Sequence, residues 1–413
     1  DELIQMLEET IRDRRRRATA FAALIPLFRP RRDGLVFLSF PAGVLPRLWR
    51  AAADRAVAHL PMLDSLNDED SSRRALARGR LYDIAAQIVR EQPQLIWPVP
   101  AQDSEIAARE TGLAELAACC DMGMLGHAAT QDLDQWITRP NEDRLAEFRL
   151  RVRDAAAVDV DGVRRLLDIM AAHVEDASQI LRLTVHAGGI GAEAMLKHSE
   201  LSVIVERILD GFDERARRIA AFRPGDSVAA FRRDLDWAGS VLDAVAVAVQ
   251  ADPQGDWARR VASSKASVAR MIEERLGAAP RSVAKVLPLR DAQTAGRMTR
   301  RVPRLDEALS PPDAEAATAA ADLIAAVRWA AARFGCEARR QAVLTDLVGD
   351  LTAYADLAVE ALSAGEASDP ELASARILLV ADLLERIEAD AEARTVRRRL
   401  AALRPSGGGV RAA

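Results

Sequence analysis

Aromatic residues are scarce in this chain of 413 residues, at 4% for Phe, Trp and Tyr together. An aromatic-lined pocket is hard to build from so few. All-α enzymes that ionise prenyl diphosphates need such a pocket and an Asp-Asp-x-x-Asp type motif. The nearest acidic run here is Asn67-Asp68-Glu69-Asp70, so that class is disfavoured. Cysteine is scarcer still. Cys119, Cys120 and Cys336 cannot make a disulfide framework, and none forms a Cys-x-x-Cys pair, which fits a reducing cytoplasm.

No apolar run reaches the ~20 residues that cross a bilayer, and no signal-peptide pattern is present. The chain opens on Asp1 rather than Met, which leaves open what precedes it. Lys occurs only at 197, 265 and 285, so nearly all of the 57 basic residues are Arg. The net charge of −5 excludes a general polyanion binder. Nucleic acid is disfavoured further by the absence of aromatic interleaving and of helix-turn-helix spacing. No Gly-x-Ser-x-Gly elbow or Walker-type loop occurs, and no residue set implies a cofactor.

What the chain does have is helix-forming residues. Hydrophobic residues make 49% and charged ones 29%, the balance of a folded protein. Ala, Leu, Arg and Glu dominate, and all are strong helix formers. The expected fold class is all-α: long antiparallel helices in a bundle or irregular array, with a smaller irregular N-terminal helical region. A chain of this length exceeds one ordinary core.

Periodicity places the elements. Leu3, Leu7, Ile11, Ala18 and Phe21 predict an amphipathic first helix, closed by Pro26 and Pro30. Leu35–Phe40 has the one strand-like composition. Val163, Leu167, Met170, Val174, Ala177 and Leu181 run at heptad-type steps through 161–186. Val228, Phe231, Leu235, Ala238, Leu242, Val245 and Val249 do the same, as do Leu344, Leu347, Leu351, Tyr354, Ala358 and Leu362. Asp252-Pro253 and Asp369-Pro370 read as helix starts, with Ser310-Pro311 a looser one. Arg223-Pro224-Gly225-Asp226 reads as a tight connection.

The expected organisation is an N-terminal region over 1–100 and a central long-helix bundle over 101–279. A basic, Pro-containing connector over 280–311 follows, then a C-terminal bundle over 312–404 and a flexible tail over 405–413.

Charge is uneven along the chain. Arg281, Lys285, Arg290, Arg297, Arg300, Arg301 and Arg304 face only Asp291 within 281–304, whereas acids outnumber bases 16 to 6 within 313–392. The basic segment either docks on the acidic region beside it or contacts an anion or an acidic partner. A second basic cluster includes Arg14, Arg15, Arg16, Arg17, Arg31 and Arg32. It flanks an apolar stretch ending at Trp49, a combination that suits either a membrane surface or an ordinary helix.

Other candidates have plain alternatives. Gly188, Gly189 and Gly191 could cradle an anion at a helix start, or could simply end a helix and turn. His173, His186 and His198 are spaced by 13 and 12, which puts them on different faces and not in metal-ligand register. Asp346 with Asp350, and Asp382 with Glu385, could hold a metal across a bundle, or face water. Cys119-Cys120 reads as buried small residues.

The leading expectation is a cytoplasmic interaction or scaffold protein. It would bind a protein partner through helix faces and the 281–304 segment, with its oligomeric state open. The alternatives are a helical domain acting at a membrane surface, and a helical-bundle site for a metal or small anion. No metal site and no catalytic residue is assigned.

Overall fold

The computed structural model describes residues 2–64, 70–188, 197, 201–223, 225–248, 254–293 and 299–403. These residues form an all-α fold with one two-stranded hairpin. Contacts divide the chain into two units. One combines the chain up to Gly211 with Asp243–Arg259, and the other combines Phe212–Leu242 with the chain from Arg260 onward.

The first unit contains α1 (Glu2–Ala20), α2 (Val44–Arg55), α3 (Ser71–Glu91), α4 (Pro93–Ile96), α5 (Asp103–Asp121), α6 (Gly123–Thr138), α7 (Glu142–Val158), α8 (Gly162–His173) and α9 (Ala177–Gly188). It also takes the N-terminal part of α10 (Ser202–Ala220). Helix α3 is its pivot, packing on α2, α5 and α6. The core gathers Phe21, Leu24, Leu48, Trp49, Leu81, Tyr82, Ile88 and Leu116 with many Ala, so small side chains let the helices approach closely. Two glycines permit that approach. A Cβ at Gly162 would lie 1.9 Å from the Ala155 carbonyl oxygen, and one at Gly123 would lie 2.3 Å from the Tyr82 ring.

The heptad-type run through 161–186 is buried at every step from Val163 to Leu181, as its spacing requires. It does not form one helix. Helix α8 ends at His173, Val174–Asp176 turns the chain, and α9 starts at Ala177. Asp176 stabilises the restart, its side chain accepting from the Ser178 backbone N–H at 2.9 Å.

Leu35–Phe40 forms no strand. Leu35 and Phe37 are buried while Val36 is exposed, but the period of two ends there, since Ser39 is exposed and Phe40 buried. Among the described residues the segment has no neighbouring strand to ladder with, and its backbone bonds elsewhere. Phe40 N–H donates to Leu27 O at 2.8 Å, and Leu35 N–H donates to Asp33 Oδ1 at 3.1 Å.

The second unit contains the remaining parts of α10, α11 (Val228–Ala248) and α12 (Asp256–Ala284). Then come β1 (Leu289–Gln293), β2 (Thr299–Pro303), α13 (Pro311–Ala326), α14 (Ala331–Phe334), α15 (Glu337–Ser363), α16 (Pro370–Arg386) and α17 (Asp390–Leu403). Helices α15, α16 and α17 pack mutually, with α13 against α16 and β2 against α15.

The seam of α11 buries Phe231, Leu235 and Ala238. Beyond Ala238 the buried residues are Val241 and Ala244, while Leu242 and Val245 of the expected row are only half-buried. Asp369 caps α16, accepting from the N–H groups of Glu371 at 2.9 Å and Leu372 at 3.1 Å. The Ser310 side chain makes no cap bond, and the Asp252-Pro253 start lies outside the described residues. The basic segment is structured. Helix α12 continues through Pro280, and β1 and β2 pair antiparallel with Asp291 opposite Arg301.

Candidate functional site

The basic residues of 281–304 are mostly answered by acids of their own unit. Lys285 pairs with Asp313 at 3.4 Å, Arg290 with Asp306 at 4.0 Å, Arg300 with Glu360 at 2.9 Å, and Arg304 with Glu307 at 3.3 Å. Among the described residues, Arg281 and Arg301 form no ion pair, and Arg297 lies outside them. This cluster therefore carries much less free charge than its sequence suggests.

The second basic cluster divides between surface and interior. Trp49 is buried, edge-on to Phe21, with its indole N–H donating to Asp13 Oδ1 at 2.7 Å. The expectation that Trp49 meets a membrane is corrected on that ground. Burying the indole with its N–H satisfied favours an interior position. Arg31 is also drawn inward. It stacks over Phe37 at 5.0 Å, bonds Asp33, and donates to Val174 O at 3.0 Å. Arg32 remains exposed, 3.2 Å from Glu175, and Arg16 is held by Asp64. Arg12, Arg14, Arg15 and Arg17 form no ion pair among the described residues.

Gly188 ends α9, and Gly189 and Gly191 lie outside the described residues, as does His198. His173 Nε2 sits 2.9 Å from Ala23 O. Asp346 and Asp350 are exposed, and Asp382 and Glu385 both bind Arg397. Among the described residues, no three His, Cys, Asp or Glu side chains could together hold a metal.

A buried ionic network in the first unit escapes sequence reading. Asp168 of α8, with no exposed surface, receives Arg164 at 3.0 Å and Arg207 of α10 at 2.7 Å. Glu115 of α5 receives Arg164 at 2.7 Å and Arg165 at 2.9 Å, and Arg165 reaches Asp159 at 2.8 Å. Burial pushes the Asp168 carboxyl up against the pull of Arg207 and Arg164. Burial works the same way on Glu115, but there the Arg165 hydrogen bond and both guanidinium charges win, holding its carboxyl below the usual range. Each carboxylate is fully engaged, so the network clamps α5, α8 and α10 together. Arg164, Arg165 and Asp168 are at readable helical spacing, but Glu115 and Arg207 meet them only through the fold.

The same unit buries the imidazole of His127. His127 makes no hydrogen bond from either ring nitrogen, and burial with Arg78 and His173 nearby pushes it down to about 4. Burial lowers His173 too. Cys119 and Cys120 have no exposed surface, and desolvation raises both thiols, Cys120 to about 12. These are inert thiols despite nearby Arg165 and Arg90.

The outward face of α1 is different. Leu3, Ile4, Leu7 and Ile11 lie between 45% and 70% exposed, and at this spacing they share one stripe with the exposed Ala18. Residues 2–15 are exposed on every side, with Met6 62% exposed outside the stripe, and α1 is held to the unit at its C-terminal end, through Asp13, Arg16 and buried Ala20. The stripe runs into a shallow groove lined by Glu8, Ile11, Arg12, Arg15, Leu63 and Asp64. Spacing predicted the helix and its stripe, but not that the stripe would face away from the core.

Comparison of the chain with protein-family models, with curated proteins and with solved structures returned no match.

Proposed function

We propose that this protein acts by binding a protein partner through the outward stripe of α1. One observation carries the reading: four large aliphatic side chains stand exposed in a row on the first turns of a helix that is anchored to the unit at its other end. Single exposed apolar residues are ordinary, but a contiguous apolar row on a helix favours contact with another apolar surface. The basic segment 281–304 is a weaker contact surface, since four of its cations already meet acids of the same unit.

Charge order supports a protein over a membrane. Membrane-surface helices place Lys and Arg along the flanks of their apolar stripe. Here the apolar turns are accompanied by Glu2, Glu8 and Glu9, and the arginines begin only after Ile11. An anionic bilayer would repel that acidic half.

The test is quantitative capture of the tagged chain from host cells, beside the Leu7→Glu chain and a variant with Arg290, Arg300, Arg301 and Arg304 changed to Gln. The expected result is a stoichiometric protein, a second copy included, that is retained by the hairpin variant and lost with Leu7→Glu. Capture that ignores Leu7→Glu, or co-sedimentation with anionic vesicles alone, would overturn the reading.

A further inference from the structure

We infer that the stripe of α1 is covered by the α1 helix of a second copy of this chain, running antiparallel. This rests on the reading that the α1 face binds protein, and it names the partner. The first argument is the separation of charge along the helix. Up to Ile11 the charged residues are Asp1, Glu2, Glu8 and Glu9, all acidic, whereas 12–17 holds five arginines and Asp13. A parallel pair would set acids against acids and arginines against arginines. An antiparallel pair sets each acidic half against an arginine half, so the helix complements itself in one orientation.

The flanks of the stripe sharpen this. Glu8 and Arg15 are one heptad apart and border the stripe on the same edge, facing the groove. In an antiparallel pair, residues on the same edge of the two helices face each other, and such flanking charges set orientation. Glu8 of each copy therefore meets Arg15 of the other, which makes two symmetric pairs. Arg15 forms no ion pair among the described residues and is exposed, so it is available. Arg16, one residue on, is already bound to Asp64 on the inner face.

The groove fits the same arrangement. Beyond Arg15 it continues past Ala18 and Thr19 towards Leu63, where the acidic first turns of the second copy, with Leu3 and Ile4, come to lie. Exposed Ala18 leaves room there for the larger residues. Such a helix pair buries on the order of 1,000 Å2 in total, at the low end for a specific interface. The dimer is therefore weak and reversible, with a dissociation constant of order micromolar.

Sedimentation of the whole 413-residue chain from roughly 1 to 100 μM tests this. The expected result is a monomer at the dilute end and a dimer at the concentrated end. Leu7→Glu should remain monomeric throughout, with a far-UV circular dichroism spectrum like that of the unaltered chain, since Leu7 makes no core contact. Glu8→Arg should weaken association by about tenfold, and adding Arg15→Glu should restore it to within about threefold. A parallel pair would not be restored by that exchange. A monomer at every concentration, or a dimer indifferent to Leu7→Glu, overturns the inference. A monomer whose capture of a different host protein still depends on Leu7 would remove the second copy and leave the proposed function standing. Loss of both dependences removes both.

Discussion

At the scale of single residues, the first unit spends several charged groups on its interior, and each should be costly to disturb. Asp168 sits between Arg164 and Arg207 with no access to water. Asp168→Leu leaves two guanidinium groups without their shared carboxylate, so the expected loss is about 3 kcal/mol, read from the urea midpoint. Breaking one partner costs far more than the intact pair contributes, so little change would show that water reaches the site. His127 provides a pH signature. Its imidazole is held down to about 4, below the ordinary value near 6.5, so the unfolded chain takes up the proton first as pH falls. Its contribution to stability is complete above about pH 6.5 and is lost progressively towards pH 4, by up to about 3 kcal/mol. His173 works in the same direction. His127→Gln should therefore flatten the stability profile across that window, and an unchanged slope would contradict the assignment. Cys119 and Cys120 should resist thiol reagents in the native protein and react once it is unfolded, as absorbance with an aromatic disulfide reagent would show.

At the scale of elements, glycine separates two kinds of position. A methyl group at Gly162 collides with the backbone of Ala155, whereas one at Gly349 in α15 meets nothing within 4 Å. Gly162→Ala should lower the melting temperature of its unit sharply, and Gly349→Ala should raise that of the other by removing unfolded-state freedom. Equal effects would mean that the α7–α8 approach is looser than described. Much at this scale was legible in the sequence. The buried rows through 161–186 and α15, and Phe231, Leu235 and Ala238 of α11, follow from the spacing of their apolar residues, and the Asp369 cap follows from an acid before Pro370. The break at Val174–Asp176 was hidden, because Met170, Val174, Ala177 and Leu181 keep heptad-type spacing across a turn. The hairpin was hidden too. Arg290, Asp291, Arg300 and Arg301 give no apolar alternation, so only the register of the two strands reveals it.

At the scale of the whole molecule, what cannot be read from a sequence is which chain segments meet. Glu115 and Arg207 converge on α8 from either side in sequence, 49 residues before Arg164 and 39 after Asp168. Nothing local announces either contact. The basic segment errs in the opposite sense. Its charge was legible, and so was docking on the acidic region beside it as one alternative, but not which acids, Asp306, Asp313 and Glu360, would meet which cation. For α1 the stripe was visible in sequence, and its exposure follows from the helix being held only at its C-terminal end, by Asp13, Arg16 and Ala20. That exposure is the central claim, because it turns an ordinary amphipathic pattern into a contact surface.

The most direct measurement is photo-crosslinking in living cells from a benzophenone side chain at position 7, with the same probe at position 9, on the far side of the helix, as control. Contact through the stripe predicts a discrete protein adduct from position 7, a second copy of the chain foremost, and none from position 9. No adduct from position 7, adducts to lipid alone, or equal labelling from both positions would contradict it.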